Sequence, residues 1–465
     1  MPTPADLRYW DRHHHWHAFT QMAEYEPLVI TRAEGCRLFD VDGNAYLDGA
    51  SSMWCNLHGH NHPRINAAIR DQLDRVAHCT ALGMGSDTAA QLAKRLADIA
   101  PGDLEHVFFS SDGSSANEVA LKIAFQYWLQ CANPQPQKTK FMALGEAYHG
   151  DTLGSASVSG IARFHALFKP LLFDVIRGPL PRHFPPLPPG EGKGEGASER
   201  NFRSPEDSAT HYLLQIESLL QSHHHELAAL VIEPLVQCAA GMVMHPPGLL
   251  RGVRELTRRY NVLLIADEVA VGFGRTGTMF ACDQEGVVPD LLCLGKGLSG
   301  GYLPLAATIT NDRIYRAFLG AHYEGRTLHH GHTFSGNPLA CAAGLASLDV
   351  FEKEQTLANL PPKIARLSDH LCRLAEHPHV ATTRQRGFIG ALELTADKFA
   401  GVPYPAAERR GWRVCRETLA NGVWLRPLGD ILYVMPPLAI SLDELDLIMN
   451  TLTTAIDKIT SSAVL

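Results

Sequence analysis

Lys296 closes the apolar run Asp290-Leu-Leu-Cys-Leu-Gly-Lys296 and stands between Gly295 and Gly297. An amine at the end of a buried strand is partly stripped of water, which lowers its pKa and suits a nucleophile that condenses with a carbonyl. The flanking glycines would let a bulky group approach the backbone. A lysine snorkelling from a strand end into solvent is the plainer alternative. Asp267, followed by Glu268, ends a second apolar run, Val262–Glu268. A carboxylate there is costly unless it meets a cation or a protonated nitrogen; an ion pair or a helix cap would also serve. The third group is the Ser110–Glu118 stretch SSDGSSANE, which leads into the helical pattern VALKIAFQYW. A strand feeding a Gly-Ser turn at a helix start offers free N–H groups and a favourable dipole to a phosphate. The spacings GxxxxGK[ST] and GxGxxG are both absent, and taken alone such a turn is more often a simple N-cap. Together the three make a cofactor site. Pyridoxal phosphate suits it, because Asp267 would keep the pyridinium nitrogen protonated and the electron sink intact.

Positioning these groups takes a layered α/β frame. Four near-continuous apolar runs, 106–111, 229–235, 262–268 and 290–296, read as strands covered on both faces, and helical stretches separate them. That alternation predicts a mainly parallel sheet. Three of the runs end in polar groups, Ser110-Ser111, Asp267-Glu268 and Lys296, and ligands of open α/β sheets gather at carboxyl ends of strands. Before the sheet, residues 28–48 read as short antiparallel strands with turns at Gly35 and Asp42-Gly43. Helical spacing follows in HPRINAAIRDQLDRVAH and DTAAQLAKRLADIA. Residues 178–207 are rich in Pro, Gly and charge, and read as a mobile surface excursion with little core capacity. After about residue 345 come a long helix, GFIGALEL, a second helix, VWLRPLGDILYVMPP and a last helix. The expected division is a large domain over 61–345 and a smaller α+β domain built from both chain ends, 1–60 and 346–465.

Composition narrows the partners. The chain has 465 residues, 45% of them hydrophobic and 19% charged, with a net charge of -8. It has no basic footprint for nucleic acid, no apolar run long enough to span a bilayer and no apolar signal-peptide core at its start. Ten cysteines are scattered singly with no CxxC pair, as expected of free thiols in a reducing compartment, with the cytoplasm as default. Histidines cluster at His13–His15 with His17, at His223–His225, and at His329, His330 and His332. No cysteine or carboxylate stands at a recognised zinc spacing near them, so no metal is expected.

The series GSSANEVALKIAF, AYHGDT, VLLIADEV, GFGRTG, LLCLGKGLSGGYLP and HGHTFSGNPLA resembles class III, fold-type I pyridoxal-phosphate aminotransferases from about residue 10 onward. The resemblance implies pyridoxal 5'-phosphate as cofactor, Lys296 as its Schiff-base lysine and Asp267 at the pyridinium nitrogen. It implies Gly113 and Ser114 at the phosphate, Thr333 reaching that phosphate from the second subunit of a homodimer, His332 in the cofactor site, and Tyr148 stacked on the ring. WHAFTQM, DGASSMWCNLHGHNHP, AFQYW and GVWLRPLGD look like the branch that aminates 8-amino-7-oxononanoate in biotin synthesis. By that likeness Arg426 binds the substrate carboxylate, where a guanidinium fork fits. Phe19, Met53, Trp54, Gly331 and Arg275 line the substrate pocket. Three positions depart from members that use S-adenosylmethionine. Phe19 replaces the tyrosine of WHPYT, Met53-Trp54 replaces a tryptophan pair, and Gly331-His332-Thr333-Phe334 replaces GPTF. A related branch with the FTQM and HGH spellings is linked to lysine as amino donor, so both donors stand. The rival expectation is another class III enzyme acting on ω-amino acids, or on diamines with pyruvate.

Overall fold

The computed structural model describes residues 2–182 and 205–461, so the expected excursion at 178–207 lies mostly outside the described residues. Strands β1 (Ile30–Glu34), β2 (Arg37–Asp40) and β3 (Ala45–Asp48) form an antiparallel meander. Gly35 and Gly43 sit at its turns with φ of +54° and +85°, a conformation that glycine adopts without a Cβ penalty.

The central sheet holds seven strands: β4 (Leu104–Ser110), β5 (Lys140–Ala143), β6 (Val175–Arg177), β7 (Leu227–Ile232), β10 (Leu263–Asp267), β11 (Leu291–Leu294) and β12 (Ala306–Asn311). A short hairpin of β8 (Val236–Gln237) and β9 (Val243–Met244) lies between β7 and β10 in sequence. The sheet order is β4-β12-β11-β10-β7-β5-β6. Five adjacent strands, from β6 to β11, are parallel, and β12 runs antiparallel to both of its neighbours. The sheet is therefore mainly parallel, as the alternation of strands and helices implied. Every residue of β7, β10, β11 and β12 is buried.

The run at 106–111 packs on both faces, Val107 and Phe109 against one core and Phe108 against the other, but β4 is an edge strand with one neighbour and its middle residues are only half-buried. Strands β5, β6 and β12 also belong to the sheet although no apolar run announced them. Lys140–Ala143 and Val175–Arg177 are too short for a periodicity reading, and Ala306–Asn311 carries threonines and an asparagine among its apolar residues.

Beyond the sheet, β13 (Val380–Arg386), β14 (Ile389–Leu394), β16 (Pro427–Leu428) and β17 (Ile431–Val434) form an antiparallel unit ordered β13-β14-β17-β16. Strand β15 (Val423–Trp424) pairs parallel with β3, joining Val423 to Leu47 and Trp424 to Asp48. Segments from the two ends of the chain thus share one four-stranded sheet.

The two strands that present Lys296 and Asp267 are braced from below. Asp290, just before β11, accepts from Arg254 at 2.6 and 3.3 Å, from Arg313 at 2.8 Å and from the Leu264 N–H of β10 at 2.8 Å. Arg254 and Asp290 are both buried, whereas the Arg313 side chain is 52% exposed. Removing one partner of a buried pair leaves an uncompensated charge, whereas half-exposed pairs contribute little. Asp290→Ala is therefore expected to lower unfolding free energy by about 3–5 kcal/mol and Arg313→Ala by less than about 1 kcal/mol, measured as shifts in denaturant midpoint.

Candidate active site

The carboxyl ends of the sheet strands open onto a cavity of about 480 Å³. Lys296, Asp267, Gly113, Ser114, Tyr148 and Trp54 all line it, so the structure gathers six of the residues singled out in the sequence around one space. Asp267 ends β10, paired in register with Cys293 of β11, and Lys296 follows three residues later. The Lys296 Nζ lies 5.3 Å from the centroid of the Trp54 ring. Its backbone has φ of +38°, a conformation that costs an L-residue and is kept where the surroundings enforce it.

Asp267 is buried, and three donors hold its carboxylate. The His149 imidazole Nδ1 lies 2.7 Å from Oδ2, the Asn117 amide donates to the same oxygen at 2.9 Å, and the Val269 N–H donates to Oδ1 at 3.1 Å. No lysine or arginine pairs with it among the described residues. Glu268, its sequence neighbour, points the other way, as alternation along a strand requires. It accepts the Ala281 and Cys282 N–H groups at 2.7 and 2.8 Å, and burial raises its pKa to about 7. The two adjacent carboxylates therefore have separate tasks.

The helix Gly113–Gln130 begins at the cavity with Asp112 as N-cap, which accepts the Ser115 N–H at 2.9 Å. Gly113 and Ser114 occupy its first two positions, where N–H groups have no intrahelical acceptor and an anion is favoured. Gly113 has a packing reason as well: a Cβ there would lie 2.5 Å from Val269 Cγ1. The glycines beside Lys296 make protein contacts rather than room for a ligand. A Cβ at Gly295 would meet Val269 at 3.3 Å, and one at Gly297 would meet Leu57 at 2.8 Å.

Tyr148 donates its hydroxyl to Asp151 at 2.6 Å, and both burial and that hydrogen bond push its pKa above the usual phenol value. Its ring meets Phe164 edge-on at 6.0 Å, and Phe164 meets Phe19 at 5.2 Å. Phe19 therefore belongs to an aromatic row leading out from Tyr148, and it is 56% exposed rather than part of the cavity wall. Met53 lies with its sulfur 3.3 Å from Arg426 Nη1, and Arg426 has no carboxylate partner among the described residues.

Arg275 does not line the cavity. It is buried, and it donates to the Pro436 carbonyl at 2.6 Å, the Trp54 carbonyl at 3.2 Å and the Asn56 carbonyl at 3.0 Å. Burial lowers its pKa to about 10, and its fork ties three chain segments together. Gly331, His332 and Thr333 are not brought to the cavity of their own chain either. Gly331 and Thr333 are exposed, and the His332 N–H is spent on Ser335 Oγ.

Trp54 sits on unusual backbone. Ser51, Ser52, Met53 and Trp54 all have positive φ, at 51°, 46°, 68° and 71°. This is one turn of left-handed helix made without glycine, at a cost of about 1–2 kcal/mol per residue.

Three cavity-side residues escaped the sequence reading. His149 follows Tyr148 in AYHGDT, Asn117 lies one helical turn beyond Gly113, and Glu233 ends β7. Glu233 was within reach of the strand-end rule already applied to the other three runs. It accepts the Tyr148 N–H at 3.0 Å and the Cys238 N–H at 3.1 Å, and burial raises its pKa to about 7.

The donor set fits pyridoxal phosphate: a helix start for its phosphate, a buried carboxylate for its ring nitrogen and a primary amine for its aldehyde. Gly113→Ala is expected to weaken cofactor retention by about tenfold or more, because the stiff β-branched Val269 cannot yield. Gly113→Ala with Val269→Ala should recover most of it, as read by cofactor titration. The raised Glu233 pKa also has a sign: the apo-protein is favoured below pH ~4.5 and loses that stability as pH rises through ~7. Glu233→Gln should remove this loss, on the order of 3 kcal/mol, in denaturation curves taken across that window.

Residues 20–456 match the family model described as Aminotransferase class-III. An adenosylmethionine-8-amino-7-oxononanoate aminotransferase of Nitratidesulfovibrio vulgaris is 51% identical over 98% of this chain and 82% of its own length. The crystal structure of the enzyme of that name from Methanocaldococcus jannaschii is 42% identical over 97% of this chain and 98% of its own, with a TM-score of 0.88. A pyridoxal-phosphate-bound amine transaminase from an uncultivated Pseudomonas species is 35% identical over 95% and 98% of the two chains, with a TM-score of 0.87. The strand-end lysine, the buried carboxylate and the glycine-serine helix start therefore occur in a chain similar along nearly its whole length to enzymes that use this cofactor, and the protein belongs to the class III aminotransferases, with pyridoxal 5'-phosphate as its cofactor.

Proposed function

We propose that the protein transfers an amino group to 8-amino-7-oxononanoate, giving 7,8-diaminononanoate for biotin synthesis. The observation that carries this reading is Arg426, a half-buried guanidinium without a carboxylate partner among the described residues, in contact with Met53 of the strained turn next to Trp54 and the Lys296 cavity. The relatives named for that reaction support it. The bound cofactor supplies an aldehyde that accepts amino groups and a ring that withdraws electrons. Gly113 and Ser114 hold its phosphate with their N–H groups, and Asp267 holds the proton on its ring nitrogen. His149 and Asn117 fix the Asp267 carboxylate, and Tyr148 covers the ring. The Lys296 Nζ would carry the proton from the donor's α-carbon to the cofactor's C4′ in the first half of a ping-pong exchange and run that transfer in reverse, towards the keto substrate's carbon, in the second. Arg426 receives the carboxylate end of the keto substrate. S-adenosylmethionine or lysine is the donor, with Phe19 and Met53 as the residues facing that choice.

The same reading takes residues 61–345 as the cofactor-binding domain and 1–60 with 346–465 as the smaller one. Thr333, exposed on a single chain, completes the phosphate site of a second copy in a homodimer, with half-buried His332 beside it in that cofactor site and exposed Gly331 lining the substrate pocket. The cytoplasm is the expected compartment. All ten cysteines are free, six of them buried, in keeping with reducing conditions. Among the described residues no helix is long and apolar enough to cross a membrane.

The protein is expected to restore growth of a strain lacking the biotin-pathway aminotransferase, and Lys296→Ala is expected not to. Arg426→Ala should raise KM for the keto acid by about tenfold or more, as losing a charge-assisted contact does, without altering cofactor retention. Single-turnover mixing with S-adenosylmethionine and with lysine identifies the donor by which one bleaches the cofactor absorbance. Failure to rescue, with turnover of β-alanine or putrescine, would replace this reading with an ω-amino acid or diamine transaminase.

A further inference from the structure

The left-handed turn Ser51–Trp54 contains no glycine, so it does not hold itself in that shape. Its two ends are anchored independently. The Ser51 hydroxyl donates to the Met435 carbonyl at 2.7 Å, and Arg275 grips the Trp54 and Asn56 carbonyls. The middle of the turn is held by Asp48, which ends β3 and is fully buried, with the weak Cys55 thiol contact to the Ser52 carbonyl beside it. Asp48 Oδ1 accepts the Ser52 N–H at 2.9 Å, and Oδ2 accepts the Ser52 hydroxyl at 2.8 Å. The same Oδ2 lies 2.9 Å from His60 Nε2. The other ring nitrogen of His60, Nδ1, lies 2.9 Å from the Asn56 Nδ2, which can only donate. Facing a carboxylate, which can only accept, Nε2 donates to Asp48, while Nδ1 bonds the Asn56 side-chain amide. The chain Asn56–His60–Asp48–Ser52 therefore ties the turn down through residues that do not line the Lys296 cavity.

We propose that the Asp48–His60 pair is a positioning device that clamps the middle of this turn, keeps Met53 against Arg426 and Trp54 against Lys296, and so sets how tightly the far end of the keto substrate is bound. The proposal rests on the reading of Arg426 as receptor for the substrate carboxylate. Neither Asp48 nor His60 lines the cavity, so the pair acts through the turn alone. Without the clamp, Ser52 and Met53 relax toward ordinary φ values, since left-handed backbone is the costlier state for both. Such a relaxation swings the Met53 sulfur off the 3.3 Å contact with Arg426 and the 4.0 Å contact with the Tyr433 hydroxyl. The cofactor's own contacts, at Gly113, Ser114 and Asp267, stand on the central sheet and do not move.

The test compares His60→Ala, His60→Gln, Ser52→Ala and Arg426→Ala as holoenzymes, with KM and kcat for 8-amino-7-oxononanoate, cofactor affinity and melting temperature measured for each. His60→Ala and Ser52→Ala are expected to raise KM by about tenfold, the effect of one hydrogen bond to a charged group, while kcat and cofactor affinity stay near wild type. His60→Gln should recover most of the lost affinity, because a glutamine amide nitrogen replaces Nε2 as donor. If Arg426→Ala raises KM while His60→Ala and Ser52→Ala do not, the clamp is overturned and the carboxylate reading stands. If Arg426→Ala leaves KM unchanged, the carboxylate reading fails, and the clamp built on it fails with it. If kcat, cofactor affinity and melting temperature fall together with KM and glutamine gives no recovery, the pair is only a structural support and the proposal is overturned.

Discussion

The site depends on a carboxylate that has been taken out of water without a fixed cation to answer it. Burying Asp267 at the end of β10 would be prohibitive for an isolated charge, and His149, Asn117 and the Val269 N–H offset only part of that cost. The remaining demand is for a positive group inside the cavity, the part proposed above for the cofactor's protonated ring nitrogen. The other features are arranged around that demand. The parallel pairing of β10 with β11 sets Lys296 at a fixed offset from Asp267, and β7 delivers Glu233 to the same end of the sheet. The Asp290 network holds the opposite end of both strands. Cofactor affinity and sheet stability are therefore linked through two strands.

Much of this was legible in the sequence because it follows from strand ends. Lys296, Asp267 and the Gly113-Ser114 turn each closed an apolar run or opened a helix, and such positions converge in a parallel sheet whatever the details of packing. Glu233 obeyed the same rule. What the sequence could not show depends on orientation. Asp267 and Glu268 look alike as neighbours, and only the pleat assigns one to the cavity and the other to the Ala281–Cys282 backbone. Arg275 reads as a pocket cation, but its guanidinium is consumed by three carbonyls of distant segments. The glycines around Lys296 read as room for a ligand and turned out to be room for Val269 and Leu57. The short or threonine-bearing strands β5, β6 and β12 carried too little periodicity to be seen.

Backbone strain collects where substrate is expected to bind. Lys296, Phe19 and the four residues of the Ser51–Trp54 turn all have positive φ without being glycine. Among the described residues eight other non-glycine residues, Asn61 and Leu235 among them, also have positive φ, but only in this turn are four of them consecutive, a local departure from backbone preference. The departure is sustained by well-formed contacts outside the cavity, notably those of Asp48 and Arg275. Side chains that touch no ligand are thus part of what fixes the cavity's shape.

The edge position of β4 carries a consequence for how the molecule is made. Its ladder partner is β12, about 200 residues later in the chain. At ribosomal rates of roughly 5–20 residues per second, the phosphate-binding turn after β4 waits on the order of 10–40 s before the strand that seats it has been synthesised. Asp267 and Lys296 emerge within that interval, so the nascent chain holds these groups before it can arrange them around the cavity. The meander of β1, β2 and β3 waits longer still, until Val423 and Trp424 arrive to pair with β3. Closing such long loops costs little more than closing moderate ones, but it makes folding non-local and largely post-translational. Assembly of a cofactor-competent site is therefore a late event in the life of the chain, and cofactor supplied early has no completed site to bind.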